Sequence, residues 1–533
     1  MMLPHRHALA IWMLIGLSVA GWSPLAAQTA PRTDPPTRPE RTDFRETSSY
    51  ADVMAFVGLA AERSPKIHLT TFGYSFEGRP LPLVVIGDVA GPDPRAVRES
   101  GKTRVFVLAN IHAGEVSGKE ATLMLIRALA AGAHDDWLDS LVLLIAPIYN
   151  ADGNERVRLT NRPGQYGPIG GMGQRANAQD LDLNRDNMKL ESPEARSLVS
   201  ALRRWDPHVL LDLHTTNGTR RSYHLLYAPP LHPNTDSAIV QQLRSDWLPA
   251  VTRRIKETSG WDFYYYGNVP FRAGSAERGW YTFDHRPRFT TNYVGLRNRF
   301  AILSEAYAYA SFPERVASTL RFVEEVVEYA HRNASLIGAI VAAADSTDLT
   351  GSELALRATV QRGDSVEILL GEVAEERHPY TGRTMYRRVD VVHRERMPDF
   401  GSFRGTEVVR VPTAYVVPGD LTSVLALLDA HGVKRRPLAR SMQATVDRFV
   451  IDSTSVAGRE YQGHAERTLY GRYEHVELDV PASAVLVPVA QPLARLIVAL
   501  LEPRSDDGLV NWNVLDEVLD GAQHYPILRV PTR

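Results

Sequence analysis

The chain has 533 residues, of which 44% are hydrophobic and 23% charged, as expected for a folded globular protein of two or three domains. Its 60 Lys and Arg residues nearly balance its 62 Asp and Glu residues, so no strong positive field favours nucleic acid or an anionic membrane surface. It contains no cysteine, which excludes disulfides, thiolate metal sites and cysteine nucleophiles, so any metal must bind to histidine and carboxylate.

Residues 1–27 have the pattern of a secretory signal peptide. A basic start is followed by an apolar stretch at 8–22 and by the small residues Ala26-Ala27 before Gln28. The stretch is shorter than the roughly 20 residues of a membrane-spanning helix. We therefore expect no stable membrane insertion after cleavage, with an N-terminal anchor as the alternative. Export without cysteine is typical of a bacterial periplasmic or extracellular protein.

The next two segments differ in composition. Residues 28–48 are rich in proline and charge and predict a flexible leader. Residues 49–340 predict an α/β domain, because short apolar runs alternate with helical patterns. The apolar runs predict buried strands at 105–108, 141–145, 209–211 and 301–303. Helical spacing and capping residues predict helices that begin near residues 115, 192 and 313.

The pattern changes again after residue 340. Polar and apolar residues alternate at 366–370 and 388–392, which is typical of strands, and helical stretches interrupt the alternation near 421–431 and 491–501. We therefore predict a separate, mainly β domain over 341–533. We expect it to be accessory, because the residues that carry chemistry all lie before it.

Three separated fragments carry the residues that a hydrolytic zinc site needs: His112-Ala113-Gly114-Glu115, Asp212-Leu213-His214 and Ser304-Glu305-Ala306. A catalytic zinc takes three nitrogen or oxygen ligands from the protein and keeps a fourth position for water. His112, Glu115 and His214 fit the ligand role. A carboxylate outside the ligand set then accepts the proton of that water, and Glu305 fits this second role.

Each fragment alone is a weak signal. The chain has 17 histidines, and a histidine at the end of a strand is more often a hydrogen-bonded polar residue than a ligand. The apolar neighbours of Glu305 add a second argument, since burial raises the pKa of a carboxyl group toward the range that suits a general base near neutral pH. The evidence becomes stronger because further fragments occur together with these three, in a fixed order along the chain.

These fragments belong to a series of six motifs. In chain order the series is S-F-E-G-R-P at 75–80, H-A-G-E at 112–115, P-I-Y-N-A-D-G at 147–153, R-A-N at 175–177 with D-L-N-R at 182–185, L-H at 213–214, and Glu305. Together they resemble the zinc carboxypeptidase family typified by pancreatic carboxypeptidase A, over roughly residues 65–330. The resemblance implies a three-layer α/β domain with a mixed central sheet, one zinc ion per chain and a peptide substrate with a free C-terminal carboxylate.

The resemblance also implies roles for the polar residues of these motifs. His112, Glu115 and His214 would hold the zinc. Glu305 would be the general base toward water and then the proton donor to the leaving amine. Arg175 would stabilise the oxyanion of the tetrahedral intermediate.

Asn184 and Arg185 would bind the terminal carboxylate of the substrate. The planar guanidinium group suits this role because it can donate two parallel hydrogen bonds to a carboxylate. The alternative for Arg185 is a surface ion pair with Asp182 or Asp186.

The chain departs from the family pattern at two places. Asp186-Asn187-Met188 follows the N-R pair, where the family often has asparagine and an aromatic residue. Tyr281 and Tyr293 are candidates for the tyrosine that covers the bound substrate, although each is equally a candidate for the core. Segment 284–299 carries four arginines and one aspartate, a formal balance of +3, and predicts discrimination against basic C-terminal residues in favour of apolar or acidic ones.

The sequence therefore predicts a secreted zinc metallocarboxypeptidase, a metalloprotease that hydrolyses the C-terminal bond of peptides and does not bind nucleic acid. One alternative keeps the fold and the metal but hydrolyses cell-wall peptides or acylated amino acids. Another is an inactive protein that binds peptides or glycans. The presence of all three ligands and the base favours an enzyme over such a binding protein.

Overall fold

The structure, a computed structural model, describes residues 35–270 and 277–532. The predicted signal peptide, 1–27, and the first part of the predicted leader, 28–34, lie outside the described residues. Within the described ranges, 35–270 and 277–532, no helix is both long enough and apolar enough to cross a bilayer.

Helices occur along the whole described chain. In order they are α1 Arg38–Arg41, α2 Tyr50–Arg63, α3 Pro94–Glu99, α4 Ser117–Ala130, α5 Trp137–Ser140, α6 Ala151–Glu155, α7 Pro193–Trp205, α8 Ser237–Gln242, α9 Leu248–Ser259, α10 Thr290–Leu296, α11 Phe312–Arg332, α12 Ala334–Ser346, α13 Thr422–His431, α14 Ala494–Leu501 and α15 Asp516–Leu519. A 3₁₀ turn lies at Leu183–Arg185 and a π turn at Leu243–Trp247. The predicted helices correspond to α4, α7, α11, α13 and α14.

The strands fall into an N-terminal and a C-terminal set. The first set is β1 Ile67–Tyr74, β2 Pro80–Ile86, β3 Thr103–Ala109, β4 Leu141–Ala146, β5 Val209–Thr216, β6 Leu225–Ala228, β7 Phe263–Tyr265, β8 Trp280–Tyr281 and β9 Phe300–Tyr307. The second set is β10 Glu353–Gln361, β11 Ser365–Arg377, β12 Thr384–Phe400, β13 Ser402–Arg410, β14 Ala414–Val417, β15 Arg436–Pro437, β16 Met442–Val456, β17 Arg467–Val480, β18 Val485–Pro488 and β19 Leu528–Val530. The predicted strands correspond to β3, β4, β5, β9, β11 and β12.

Eight strands of the first set form a mixed sheet in the order β1-β2-β4-β3-β5-β9-β6-β7. The central strands β4, β3, β5 and β9 are parallel, while β1, β2 and β6 run antiparallel to a neighbour. Because parallel strands end at one edge of a sheet, the residues that follow β3 lie near the ends of β5 and β9. The β5–β9 register pairs His214 directly with Glu305.

Helices pack against this sheet in two groups. One group links α2, α4, α11 and α9, and the other links α3, α7 and α13. Strands β3, β4 and β5 are buried along their whole length, and burying each Val, Leu or Ile stabilises the fold by about 1.5–3 kcal/mol. The predicted α/β class, with helices layered on a mixed central sheet, is confirmed.

The C-terminal region is mainly β, also as predicted. It contains a six-stranded sheet in the order β15-β18-β14-β19-β16-β17 and the pair β10–β13, while β11 and β12 continue into β8 of the N-terminal set. The described chain from Pro36 onward forms one compact unit. Val105 and Trp512 belong to the same hydrophobic cluster, and α12 crosses the predicted boundary at residue 340. The division into domains at this position remains a prediction.

The described part of the predicted leader differs from the expectation of flexibility. The backbone amide and the hydroxyl of Ser48 each donate to the buried Glu120 carboxylate at 2.8 Å. Glu40 pairs with Arg127 on α4 at 2.7 Å, and the ring of Phe44 packs edge-on against an aromatic side chain of α11. Proline and charge predicted flexibility, but Glu40 and Ser48 have partners on α4, 87 and 72 residues further along the chain.

Candidate active site

A cavity of about 240 Å³ lies at the carboxyl edge of the parallel strands. Seven of the nine predicted site residues line it: His112, Glu115, Arg175, Asn184, Arg185, His214 and Glu305. Its other lining residues are Arg162, Thr215, Thr216, Asn217, Tyr266, Phe283, Phe289, Thr291 and Leu303. Chemistry-bearing residues from five separate chain segments therefore meet in one crevice.

The turn between β3 and α4 positions His112 and Glu115. The backbone amide of Glu115 donates to the carbonyl of His112 at 2.9 Å, which closes a tight turn and places both side chains on the same side. Gly114 is required by close packing, since a Cβ there would lie 2.7 Å from the carbonyl oxygen of Gly173. Asn110, with φ of 67°, turns the chain out of the strand.

His112, Glu115 and His214 form a compact donor group whose three ligand atoms lie within 4.8 Å of one another. Nδ1 of His112 is 3.0 Å from Oε1 of Glu115, and Nδ1 of His214 is 2.8 Å from Oε2. Both imidazoles thus present the same nitrogen to the same carboxylate. All three residues are buried.

Each histidine has a second carboxylate behind it. Nε2 of His112 is 3.0 Å from Oδ1 of Asp182, and Nε2 of His214 is 3.1 Å from Oδ1 of Asp212. Carboxylates in this outer position fix the tautomer and the orientation of metal-binding histidines. Two such histidines and one carboxylate are a donor set for zinc, so the residues present fit the metal that the sequence predicts.

The charges of the donor group depend on one another. Burial alone would raise the pKa of Glu115, but Arg162 and the two histidines together lower it well below its usual range. Burial would lower the pKa of His214, but Asp212 and Glu115 raise it well above its usual range. The pocket therefore holds Glu115 as a carboxylate, which is the form that binds a metal cation.

Glu305 lies beside this group, on β9. Its side chain is partly buried, and Oε2, which is shielded from solvent, has no hydrogen-bond partner among the described residues. The pKa of Glu305 is raised to about 8, chiefly by burial, with the His214 charge opposing the rise and the Glu115 charge adding to it. A desolvated carboxyl oxygen that faces the cavity is suited to exchange a proton with a molecule bound there.

The D-L-N-R motif folds into a capped 3₁₀ turn that presents three functional side chains. The carboxylate of Asp182 accepts from the backbone amide of Asn184 at 3.0 Å. The amide side chain of Asn184 lies 3.3 Å from Nε2 of His214 and accepts from the backbone of Thr290 at 2.9 Å. Arg185 follows at the end of the turn and lines the pocket.

Arg175 is held by the same aspartate. Its Nη2 and Nε donate to Oδ2 of Asp182 at 2.7 and 3.0 Å, and its Nη1 lies 3.4 Å from Nδ1 of His112. The third guanidinium nitrogen thus points toward the donor group, where an oxyanion would form.

Two of the motifs connect the loops of the site. The Asn150 side chain donates to the carbonyls of Ile111 and Arg175, at 3.3 and 3.2 Å, and so connects the loops on either side of the donor group. Asp152 accepts from the hydroxyl of Ser75 at 2.6 Å and from Arg79 at 2.6 Å, which anchors the S-F-E-G-R-P turn.

The structure brings neither predicted tyrosine to the pocket. Tyr281 stacks on Phe400, with ring centroids 4.0 Å apart, and Tyr293 is fully buried with its hydroxyl 2.8 Å from His431. The tyrosine that lines the pocket is Tyr266. Distance along the chain from Glu305 was the only signal for the first two, and it does not determine the direction of a side chain.

Sequence reasoning also missed Arg162, whose Nη2 lies 2.5 Å from Oε1 of Glu115. It stands in a loop that carries none of the six motifs, and its φ of 49° would not have been expected for an arginine. Two arginines, Arg162 and Arg175, therefore lie beside the Glu115 carboxylate and balance its negative charge.

The four arginines of segment 284–299 do not line the pocket. They bind carboxylates, a hydroxyl or carbonyls elsewhere: Arg286 to Asp284, Arg288 to Asp507 and Glu466, Arg297 to Tyr293 and His431, and Arg299 to Asp206 and Asp345. Repulsion by these arginines therefore cannot set the side-chain preference. The pocket wall is instead built from Phe283, Phe289, Leu303 and Thr291.

Residues 53–197 match the family model of zinc carboxypeptidases, and this range contains the first four motifs. This part of the chain is a zinc carboxypeptidase segment by that match. Carboxypeptidase 2 of Trichophyton tonsurans is 25% identical over 480 residues, which cover 86% of this chain and 81% of the relative. Human carboxypeptidase D is 32% identical over 168 residues, 26% of this chain and 12% of the relative.

A solved structure with a related description is the metallo-carboxypeptidase from Burkholderia cenocepacia, with a TM-score of 0.40 and 18% identity over 54% of this chain and 70% of that chain. The match to the family model and the relatives named carboxypeptidases confirm the predicted enzyme class, a zinc metallocarboxypeptidase, which acts as a hydrolase on peptide bonds. The same matches do not favour the two alternatives, an amidohydrolase of other substrates and an inactive binding protein.

Proposed function

We propose that this zinc carboxypeptidase is an exopeptidase that removes one residue from peptides with a free C-terminal carboxylate. The observation that carries the proposal is that the donor group, Glu305, Arg175 and Arg185 all line one cavity. His112, Glu115 and His214 would hold one zinc ion per chain. When bound, zinc supplies Lewis-acid polarisation, which makes a water molecule more acidic and a carbonyl carbon more electrophilic.

Glu305 is the group that moves protons. As a carboxylate it accepts the proton of the attacking water, and it then donates that proton to the nitrogen of the departing amino acid. Its burial among apolar strand residues supports this role, because a poorly solvated carboxylate binds a proton more strongly than an exposed one.

Arg175 stabilises the charge that develops on the substrate carbonyl oxygen. Two of its nitrogens are fixed on Asp182, so the third is held in place before substrate binds. A donor that needs no reorganisation during the reaction stabilises the transition state more than the same donor does in water.

Arg185 and Asn184 would select the terminal carboxylate. Arg185→Ala is expected to lower kcat/KM for a free-acid peptide at least about 30-fold, since losing a charge-assisted contact costs roughly 2–5 kcal/mol. The same variant should leave the slow reaction of the C-terminally amidated peptide unchanged. Steady-state kinetics on the matched pair of peptides measures both. Equal wild-type rates for the acid and the amide would contradict exopeptidase action.

The pocket wall should favour apolar C-terminal side chains. Phe283, Phe289 and Leu303 supply apolar surface, and the carboxylates among the described lining residues are Glu115 and Glu305, which serve the chemistry. A terminal Lys or Arg would be desolvated there without a free counter-charge. We expect peptides ending in Phe or Leu to exceed those ending in Lys by at least about tenfold in kcat/KM. The opposite order would contradict this preference and would indicate a further acidic group in the pocket.

We also propose that the enzyme is exported to the periplasm or the medium. The basic, apolar and small-residue pattern of residues 1–27 supports export. N-terminal sequencing of the exported protein should begin at Gln28, and recovery of the intact chain from the cytoplasm alone would contradict export.

A further inference from the structure

The hairpin formed by β16 and β17 reaches the active site from the C-terminal region. Its tip, Tyr461-Gln462-Gly463-His464, is called the hairpin tip here. The amide of Tyr461 donates to the carbonyl of His464 at 2.8 Å, and the reverse bond measures 3.0 Å. Gln462 and Gly463 have φ of 54° and 80°, the left-handed pair that defines a type I′ turn. The backbone of the tip is therefore fixed by its own hydrogen bonds.

The hairpin tip contacts the motif that carries the proposed carboxylate-binding residues. Nε of Arg185 donates to the hydroxyl of Tyr461 at 2.7 Å. The backbone amide of Asp182 donates to Oε1 of Gln462 at 2.9 Å. Nε2 of His464 lies 2.7 Å from Oε1 of Glu191. These three bonds hold both ends of segment 182–191 from the C-terminal region.

The bond from Tyr461 selects one orientation of the Arg185 side chain. The guanidinium carbon lies 3.8 Å over the ring of Phe289, and Nη1 donates to the carbonyl of Asn184 at 2.6 Å. With Nε directed at Tyr461 and Nη1 at Asn184, Nη2 makes no hydrogen bond to any described residue. A long, flexible side chain is thus held at two nitrogens and one face, with Nη2 available to an anion.

We propose that the hairpin tip is part of the substrate-carboxylate subsite and that Tyr461 is a positioning residue for Arg185. The inference rests on the proposed role of Arg185 in binding the terminal carboxylate. Tyr461 restricts the rotamers of the Arg185 side chain before substrate binds, so less conformational entropy is lost on binding. The C-terminal region then contributes directly to exopeptidase specificity, through KM, although it supplies no group to the chemistry.

Tyr461→Phe tests this role because it removes only the hydroxyl. With an N-acylated dipeptide ending in phenylalanine, we expect KM to rise roughly tenfold, as for loss of a hydrogen bond to a charged group, with kcat within twofold of wild type. The preference for the free acid over its amide should fall by the same factor. Tyr470→Phe, a change at a half-exposed tyrosine on β17, is the matched control and should leave KM and this preference unchanged. An unchanged KM in Tyr461→Phe would overturn the inference.

A double variant, Arg185→Ala with Tyr461→Phe, distinguishes the positioning role of Tyr461 from the carboxylate-binding role of Arg185. If Tyr461 acts through Arg185, adding Tyr461→Phe to Arg185→Ala should change KM no further. A tenfold rise in both backgrounds would place the action of Tyr461 elsewhere and overturn the inference. If Arg185→Ala lowers the acid preference but Tyr461→Phe does not, the inference alone fails. If Arg185→Ala itself leaves the acid preference intact, the proposed carboxylate site fails first.

Discussion

Glu305→Gln is expected to abolish nearly all peptidase activity while the protein stays folded and keeps its zinc. The amide has almost the shape of the carboxyl group but cannot accept a proton from water. General acid–base catalysis contributes about 10²–10⁴-fold, and Glu305 acts both toward the water and toward the leaving amine, so the loss in kcat should reach the upper part of that range. Single-turnover kinetics with metal analysis of the same sample measures both quantities.

Glu194→Gln is the matched control for this variant. Glu194 is a buried glutamate whose pKa, like that of Glu305, is raised chiefly by burial, but it accepts from the Phe76 backbone and Asn177, outside the pocket lining. We expect kcat within a fewfold of wild type. Near-normal activity in Glu305→Gln would assign the base to another residue, and loss of zinc in that variant would place Glu305 among the ligands.

His214→Ala should remove zinc and activity together. It deletes one of the three donors and leaves the carboxylate of Asp212, which backs the histidine at 3.1 Å, without its partner. Losing an outer-shell partner alone typically weakens metal binding about 10–100-fold, so loss of a ligand should exceed that. Zinc per chain after dialysis should fall from one to well below one.

The stability of the variant provides a second measurement. Because ligand binding to the folded state raises apparent stability, a chelator should lower the Tm of the wild-type protein and leave that of His214→Ala unchanged. His393→Ala, at an exposed histidine on β12 paired with Glu372, should behave as wild type in both respects. Undiminished zinc occupancy in His214→Ala would refute the ligand assignment.

The parts of this site that sequence could predict are those whose geometry is local. His112 and Glu115 are brought together by one turn, and Asp182, Asn184 and Arg185 by another, so their spacing already determines their relative positions. His214 and Glu305 end neighbouring parallel strands, and apolar runs mark such strands in a sequence. The predicted strands and the mainly β C-terminal region follow from the same patterns.

Residues that depend on contacts distant in sequence escaped prediction. Arg162 reaches Glu115 from a loop whose left-handed backbone has no sequence marker. Tyr461 is 276 residues from Arg185, and no periodicity could place a hairpin tip beside a 3₁₀ turn. The contacts of the predicted leader escaped for a related reason, since partners such as Glu120 lie on a helix whose exposed and covered faces cannot be distinguished without the fold.

The central claim is tested most directly by the masses of the products released from one unmodified peptide and from its C-terminally amidated twin. The wild-type enzyme, loaded with zinc, should shorten the free-acid peptide by one residue at a time from the C-terminus and leave the amide essentially intact. Glu305→Gln should release nothing from either peptide in the same time. Cleavage at internal bonds, or equal shortening of both peptides, would contradict a zinc exopeptidase that recognises the terminal carboxylate.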